Sequence, residues 1–209
     1  QEHASIPVSK ANETAGLQRD REDGFIQIRT GVIRKGIDLD RGIALRLQTN
    51  RVLFNLLDSH DTERLFTRVG SLGRFYGQLA LLFTMEGSPC IYYGTEIAME
   101  GGFDPDCRRC MPWSEIENGT YDERINAVRT LIRLRKTKKA CKSEKIIWQN
   151  TGHARVIGYR KEMEGEPSVE VRLNASKEKV KLPECREMLF SYGVENGWLM
   201  PDGVCIFSV

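Results

Sequence analysis

The sequence predicts an α/β segment followed by an all-β domain, and three observations lead to this fold class. Two short apolar runs, at residues 52–57 and 90–93, have the length of strands. A helical repeat of apolar residues lies between them, at 71–85. After residue 142 the pattern changes to short alternating segments separated by turn residues, which is typical of antiparallel sheets.

The two apolar runs and the intervening helix make one β-α-β unit. Residues 52–57 are apolar almost throughout, as strands covered on both faces are. Ser71 is a candidate N-cap of the helix, and residues 87–89, Gly-Ser-Pro, are expected to end it. The apolar repeat of this helix consists of Leu72, Phe75, Leu79, Leu82 and Phe83.

A long connection and a second helix follow this unit. Residues 94–120 are rich in Gly, Pro, Asp and Arg but also carry Phe103, Met111 and Trp113, so an ordered loop is expected. Residues 121–139 predict an amphipathic helix. Acidic residues in its first turn and lysines in its last suit the helix dipole.

The C-terminal segments predict a small antiparallel β-sandwich. The expected domains are the α/β segment at residues 51–140 and the sandwich at 141–209, while 1–50 stay unassigned. The sandwich strands are expected at 144–149, 154–160, 168–174, 179–182, 187–192 and 203–209.

The first fifty residues give weaker signals. Residues 1–24 are polar and without period, so a loop or disorder is expected there. Residues 25–50 fit either a strand, from the alternation of apolar residues at 43–47, or a helix over about 38–50, which we favour.

Composition excludes several classes of partner. The chain has 209 residues and a net charge of +2, so charge gives no case for nucleic acid or membrane binding. No apolar run approaches the ~20 residues that span a bilayer, and the first residues lack the apolar core of a signal peptide. We expect a cytoplasmic location, with secretion as the alternative. Secretion would make three N-x-[ST] asparagines relevant, Asn12, Asn118 and Asn174.

Six cysteines are present, and Cys107 and Cys110 form a lone C-x-x-C. A structural zinc site needs two further ligands nearby at matching spacing, and the sequence shows none. We therefore expect reduced cysteines with structural roles, and neither a metal nor a cofactor.

His60 and Asp61 directly follow the first predicted strand. A parallel barrel presents catalytic side chains at the C-terminal ends of its strands. A carboxylate there can stabilise positive charge or act as an acid or base. The alternative from spacing alone is structural: His60 caps a turn and Asp61 is the N-cap of a helix.

A second cluster, Asp104 and Arg108, lies in the long connection. Their four-residue spacing allows them to pair with each other and stiffen the loop, or to bind ligand hydroxyls. Tyr92 and Tyr93 end the second predicted strand, and each either stacks on a sugar ring or packs in the core.

Two long motifs resemble the α-amylase family of glycoside hydrolases, nearest to its neopullulanase, cyclomaltodextrinase and maltogenic amylase subgroup. Residues 54–64 read FNLLDSHDTER and are similar to the family's fourth signature region. Residues 87–113 are similar to the segment after the eighth barrel strand. The resemblance covers about residues 50–140. It implies the last two β/α units of a (β/α)8 TIM barrel, followed by a β-rich C-terminal domain.

The resemblance also implies a role for each candidate residue. Asp61 matches the third catalytic carboxylate, which stabilises the transition state and holds sugar hydroxyls. His60 matches the histidine that binds the sugar in the subsite before the scissile bond. Asp104 and Arg108 match loop residues that contact glucose units toward the non-reducing end. The remaining substrate-binding candidates within the two motifs are Arg64 and Tyr93.

The chemistry of the family is retaining hydrolysis by an aspartate nucleophile and a glutamate acid–base, with carboxyls about 5–5.5 Å apart. Those residues belong upstream of Asp61, and no acidic residue before Asp58 follows a strand in the family's Gly-x-Arg-x-Asp pattern. We therefore expect a C-terminal portion that lacks the nucleophile and the general acid. Two smaller departures are Thr95, where the family usually has Asp, and Ala98, which replaces a common glycine.

The parent activity implied is hydrolysis of α-1,4 links in maltooligosaccharides, cyclodextrins or pullulan, with an α-glucan oligosaccharide as ligand. The alternatives are a non-catalytic α-glucan-binding or interaction module and a purely structural fragment without glucan affinity. An isolated quarter of a barrel exposes strand edges. Either the rest was lost, or a second chain completes the barrel, or residues 1–50 cover the gap.

Overall fold

The computed structural model describes residues 17–19, 26–28, 52–184 and 187–209, and the chain divides into two compact units, Gln1–Leu47 and Gln48–Val209. In the first unit, strands β1 (Leu17–Arg19) and β2 (Ile26–Ile28) pair antiparallel. The loop expected throughout residues 1–24 is therefore wrong at β1, because one apolar residue among polar ones gives no period to read. The helix predicted over 38–50 lies outside the described residues.

The second unit begins with short strands and helices and ends with an antiparallel sheet. Its first elements are β3 (Phe54–Asn55), α1 (Leu65–Val69), α2 (Leu72–Thr84), β4 (Ser88–Pro89), α3 (Trp113–Glu117) and α4 (Asp122–Thr137). The sheet strands are β5 (Ile146–Trp148), β6 (Val156–Lys161), β7 (Val169–Asn174), β8 (Val180–Lys181), β9 (Glu187–Glu195) and β10 (Trp198–Ser208). Single 3₁₀ turns lie at Thr95–Ile97, Asp106–Arg108 and Lys139–Lys142.

The parallel strands are shorter than the sequence predicts. β3 pairs with β4 over two residues, Phe54 opposite Ser88 and Asn55 opposite Pro89. The strand predicted at 90–93 is wrong, because the chain turns there and the Thr95 amide donates to the Tyr92 carbonyl. The burial predicted for 52–57 is also wrong: Phe54 is 66% exposed, since no second layer covers β3 within the described residues.

Helices α2 and α4 confirm the two helices that the apolar repeats at 71–85 and 121–139 predict. Ser71 caps α2, and its hydroxyl accepts a hydrogen bond from the Arg74 amide at 3.3 Å. Phe75 and Leu79 of α2 and Leu131 of α4 are fully buried, so the predicted apolar faces form the core. α1 and α3 lie in stretches too short to show a period, and the sequence did not predict them.

The C-terminal part confirms the predicted antiparallel sheet domain, and its six described strands form one hydrogen-bonded network where the sequence predicts the two sheets of a sandwich. The order is β5-β6-β7-β10-β8, with β9 along the other edge of β10. The eleven residues of β10 explain the difference: one edge pairs with both β7 and β8, the other with β9, and the register shifts between Leu199 and Val204. The sheet curls in place of splitting, around a buried cluster of Leu199, Cys205 and Phe207.

Helix α2 packs on this sheet through close polar contacts. A Cβ at Gly73 would lie 2.3 Å from the Asp202 carbonyl oxygen, so only glycine allows this approach. The guanidinium of Arg74 pairs with the Asp202 carboxylate at 3.1 Å. At the far end of α2, the Thr84 and Tyr159 hydroxyls are 2.5 Å apart. The helices and the sheet therefore form one packed unit, and the domain boundary near residue 140 stays a prediction.

Arg135 of α4 joins three chain segments. Its guanidinium donates to the carbonyls of Met85 and Gly87, just after α2, and to the Cys141 carbonyl at 2.7 Å. Burial lowers the pKa of Arg135, but the side chain is satisfied by carbonyls. Arg135 therefore holds the segment that follows α2 against α4.

Three further features bear on the expectations above. No helix among the described residues has the length and apolar content of a membrane span. The thiols of Cys90, Cys107, Cys110 and Cys141 are not in disulfide bonds. Asn174 is buried and its amide donates to three backbone carbonyls, so it is not accessible for glycosylation.

Candidate functional site

His60 and Asp61 lie in a tight turn after β3. The Ser59 amide donates to the Thr62 hydroxyl at 2.9 Å, and the Asp61 amide donates to the Ser59 hydroxyl at 3.2 Å. The side chains of His60 and Asp61 are 59% and 68% exposed. The turn therefore presents both groups to a ligand.

The carboxylate that binds the start of helix α1 belongs to Asp58. The alternative that Asp61 is the N-cap of a helix is therefore wrong. The buried carboxylate of Asp58 accepts a hydrogen bond from the Leu65 amide, at the start of α1, at 2.9 Å. It accepts another from the Thr95 hydroxyl at 2.9 Å. Sequence reasoning missed Asp58, although an acidic residue between an apolar run and a helix start was a usable signal.

Arg108 brings the two predicted clusters together. Its Nε lies 2.7 Å from Asp104 Oδ1, and its Nη2 lies 3.4 Å from Asp61 Oδ1. Asp61 Oδ2 in turn lies 3.1 Å from His60 Nε2. Partial desolvation opposes the charge of Arg108, but the Asp104 and Asp61 carboxylates outweigh it and raise its pKa. We call these four residues the Asp61 cluster.

The backbone also joins the two sides of the Asp61 cluster. Arg108 Nε donates to the His60 carbonyl at 3.1 Å, and the buried Cys107 thiol lies 3.0 Å from the same oxygen. The turn at 60 and the loop at 104–108 therefore hold each other in position. The predicted Asp104–Arg108 pair does stiffen the loop, and it simultaneously aims Arg108 at Asp61.

Arg64 lies beneath the cluster and is fully buried. Its Nε donates to the Cys107 carbonyl at 2.7 Å, and its Nη1 donates to the Tyr93 carbonyl. The guanidinium carbon lies 4.3 Å and 4.5 Å from the ring centroids of Tyr92 and Tyr93. This placement favours a role in positioning the loop over the direct substrate contact that the sequence predicts.

Tyr92 and Tyr93 pack edge to face, with ring centroids 4.5 Å apart. Tyr93 is exposed and its hydroxyl donates to the Arg109 carbonyl at 2.9 Å, whereas Tyr92 is half-buried. Tyr93 is thus the tyrosine whose exposed ring can contact a ligand, whereas Tyr92 packs against Tyr93 and Arg64.

A further set of contacts, which the sequence did not predict, shapes the loop. Asp106 pairs with Arg109 at 2.6 Å and accepts from the Gly102 amide at 2.7 Å, and these bonds lower the pKa of Asp106. The Gly101 amide donates to the Thr67 hydroxyl at 2.8 Å. The loop is therefore preorganised by its own side chains and by Thr67 of α1.

The described residues contain no group of three His, Cys, Asp or Glu side chains that could hold a metal ion. In the C-x-x-C pair, Cys107 is buried and Cys110 is exposed. What the Asp61 cluster offers is an open carboxylate beside an arginine and a histidine. Such a set can accept hydrogen bonds from hydroxyls, donate to ligand oxygens and stabilise a positively charged carbon.

Comparison with known proteins gives one consistent result. Residues 40–164 match the family model described as the alpha-amylase catalytic domain. The chain is 40% identical over 134 residues to a cyclomaltodextrinase of Thermoanaerobacter pseudethanolicus, covering 63% of this chain and 22% of that protein. It is 54% identical over 72 residues to neopullulanase 2 of Thermoactinomyces vulgaris, covering 34% and 12%.

The structure is similar to that of a maltogenic amylase from S. marinus, with a TM-score of 0.60 and 29% identity over 74% of this chain and 22% of that one. The chain therefore spans less than a quarter of the length of each of these relatives. The relationship implies a TIM barrel followed by a C-terminal sheet domain, and β5 to β10 form a curled antiparallel sheet.

Proposed function

Because the chain belongs to the alpha-amylase catalytic domain family, we propose that it is part of a retaining hydrolase of α-1,4-glucosidic bonds. The substrates proposed are maltooligosaccharides, cyclodextrins or pullulan. In this proposal Asp61 is the carboxylate that stabilises the transition state, and His60, Asp104, Arg108 and Tyr93 bind sugar. The relatives, a cyclomaltodextrinase and a neopullulanase among them, are amylase-type glycoside hydrolases.

One observation carries the proposal: Asp61 is open to solvent yet held on two sides. His60 Nε2 contacts one carboxylate oxygen at 3.1 Å, and Arg108 Nη2 contacts the other at 3.4 Å. Arg108 lies 47 residues after Asp61 in the chain, so the fold brings this arginine to the carboxylate. Held in this way, Asp61 keeps one geometry for a ligand, and preorganised charge of this kind stabilises transition states.

The proposal requires a nucleophile and a general acid from another part of the enzyme. Retaining hydrolysis uses two carboxyl groups about 5–5.5 Å apart. In the described part of the chain, Asp58 is buried against Thr95 and Leu65, and Asp104 is paired with Arg108. Neither offers a free carboxyl group beside Asp61. We therefore assign the missing pair to further barrel strands, in preceding sequence or in a second chain.

The edge of the two-stranded parallel sheet supports this assignment. Val52, Phe54 and Leu56 are all exposed, on or beside β3. Parallel strands are ordinarily covered on both faces, and an exposed apolar edge is a site for pairing. We propose that the remaining barrel strands pack here.

Reducing-sugar release from maltohexaose and β-cyclodextrin tests the proposal. The assay compares the 209-residue chain and a longer form that includes preceding sequence, each with Asp61→Asn. We expect turnover in the longer form and a loss of about 100-fold or more in kcat in the variant, since a positioned charge is removed. Glu115→Gln, an exposed acidic residue on α3, is the control and should leave kcat unchanged. Full activity in Asp61→Asn would contradict the role of Asp61.

A non-catalytic α-glucan-binding module is the second candidate, favoured by the engaged state of Asp58 and Asp104. It predicts maltohexaose binding that Asp61→Asn weakens, without turnover in any form of the protein. Turnover in the longer form excludes it.

A further inference from the structure

A cavity of about 480 Å³ lies between α2, α4 and β9, apart from the Asp61 cluster. None of its lining residues belongs to the Asp61 cluster. Its volume falls within the range of small-molecule sites, roughly 300–1,000 Å³. The lining residues that carry the argument are Tyr76, Thr120, Glu123, Arg124, Ser191 and Tyr192.

Tyr76 is the aromatic residue at the back of this cavity. The residue is 4% exposed, and its ring packs against Phe190 and Tyr192 at centroid distances of 6.0 Å and 5.1 Å. Burial raises its pKa, and Arg124, Tyr192 and Glu123 also act on it, all of which line the cavity. A tyrosine hydroxyl both donates and accepts hydrogen bonds, so a ligand hydroxyl has a place beside Tyr76 in the lining.

Tyr192 contributes an open aromatic face. It is 40% exposed on β9, while its other side is backed by the Tyr76 ring. An aromatic ring that is held from behind and open in front suits a ligand that has one apolar face. The C–H face of a pyranose ring is such a face, and its hydroxyls then meet the polar lining.

The charges of the lining cancel. Arg124 supplies one positive charge and Glu123 one negative charge. Arg124 is fixed from behind, because it donates to the Ile97 carbonyl at 2.9 Å and lies 5.3 Å from the Tyr121 ring centroid. A balanced pair of this kind favours a neutral ligand with many hydroxyls over an anion or a cation.

We infer that this cavity is a second carbohydrate site, which holds one or two hexose units of a neutral oligosaccharide. Tyr192 is the stacking platform, the Tyr76 hydroxyl donates a hydrogen bond to a ring hydroxyl, and the Glu123 carboxylate accepts one from another. The identification of the oligosaccharide as an α-glucan rests on the proposed function, whereas the site itself rests on the cavity. Its occupation would hold the protein on a glucan chain independently of the Asp61 cluster.

An NMR titration of the ¹⁵N-labelled 209-residue chain with maltotriose tests this inference. The amides of Thr120, Ser191 and Tyr192 report on the cavity, and those of His60 and Asp61 report on the Asp61 cluster. We expect shifts at the cavity amides, and Tyr192→Ala to raise the dissociation constant read there about tenfold or more. Tyr76→Phe removes only the hydroxyl and should raise it about fivefold.

Two variants serve as controls. Met188→Ala removes a comparably exposed side chain from the same strand, outside the cavity, and should leave the constant unchanged. Asp61→Asn should likewise leave it unchanged. If Tyr192→Ala does not fold, the change in the dissociation constant of Tyr76→Phe tests the inference by itself.

Shifts confined to the His60 and Asp61 amides would overturn the second site and leave the proposed function intact. Cavity shifts with inorganic phosphate but not maltotriose would also overturn it, as an anion site. Absence of shifts at the cavity amides would overturn the second site. Absence of shifts at the His60 and Asp61 amides as well would also overturn glucan binding at the Asp61 cluster.

Discussion

The hydroxyl of Thr95 donates a 2.9 Å hydrogen bond to the buried carboxylate of Asp58, 37 residues earlier in the chain. This bond joins the segment after β4 to the segment after β3, and the other oxygen of the same carboxylate holds the start of α1. Thr95, one of the two expected departures from the family pattern, therefore makes a contact that supports the turn carrying His60 and Asp61. A carboxylate at 95 would face Asp58 with like charge, whereas a hydroxyl donates to it.

Thr95→Val should lower the free energy of unfolding by about 1–3 kcal/mol, because a buried carboxylate loses its donor. Urea denaturation of the wild type and the variant measures this. Thr137→Val, an exposed threonine on α4 with the same change of shape, is the control and should stay within about 0.5 kcal/mol. Equal effects of the two substitutions would contradict the importance of the bond.

Arg108→Lys should weaken maltotriose binding at the Asp61 cluster about tenfold, read from the His60 and Asp61 amides. A lysine cannot contact Asp104, Asp61 and the His60 carbonyl at once, as the planar guanidinium does. The neighbouring Arg109→Lys is the matched control, since Arg109 pairs with Asp106. An affinity that falls only in Arg109→Lys would show that the wrong arginine has been assigned.

Gly101→Ala should destabilise the protein by about 1–3 kcal/mol and weaken binding at the Asp61 cluster. A Cβ there would lie 2.8 Å from the Asp106 carbonyl oxygen and 3.0 Å from Arg64 Cγ, so the loop that carries Arg108 must move. At Gly102 the nearest atom would be 3.4 Å away, an ordinary contact. Thermal unfolding of Gly101→Ala and Gly102→Ala compares them, and we expect little change in the second.

Lys161→Met should stabilise the protein at neutral pH. Lys161 is fully buried, its Nζ has no hydrogen-bond partner within the described residues, and desolvation lowers its pKa from 10.5 to about 8. The unfolded chain thus binds more protons between pH 8 and 10.5, and stability rises with pH across that window. The cost of charging Lys161 is fully present below pH 8, about 3 kcal/mol at most.

Unfolding free energies of wild type and Lys161→Met between pH 7 and 10.5 check this prediction. The advantage of the variant should be largest at pH 7 and shrink above pH 8. Burial also raises the pKa of Cys141, to about 11, but this thiol is present in both proteins and cancels in the difference. A constant difference across the range would show that Lys161 titrates normally.

The sequence predicted the elements whose signal is local. Helices α2 and α4 follow from apolar residues spaced three and four apart, and Ser71 is where the capping rule places it. The members of the Asp61 cluster were also identifiable, His60 and Asp61 because they follow an apolar run and Arg108 because its motif resembles a family.

What the sequence could not predict depends on partners distant along the chain. An apolar run does not state whether a neighbour covers it, so residues 52–57 read as buried although Phe54 is exposed. The curl of the sheet depends on β10 pairing with three strands, which alternation alone does not encode. The role of Thr95 required knowing that Asp58 lies beside it.

The position of Arg135 has a consequence for how the protein is made. The carbonyls just after α2 accept from a side chain that lies 50 residues further along the chain. During synthesis, all of α2 is therefore made before Arg135 is added to the chain. The segment after α2 can therefore take its final position only once α4 is available to supply Arg135.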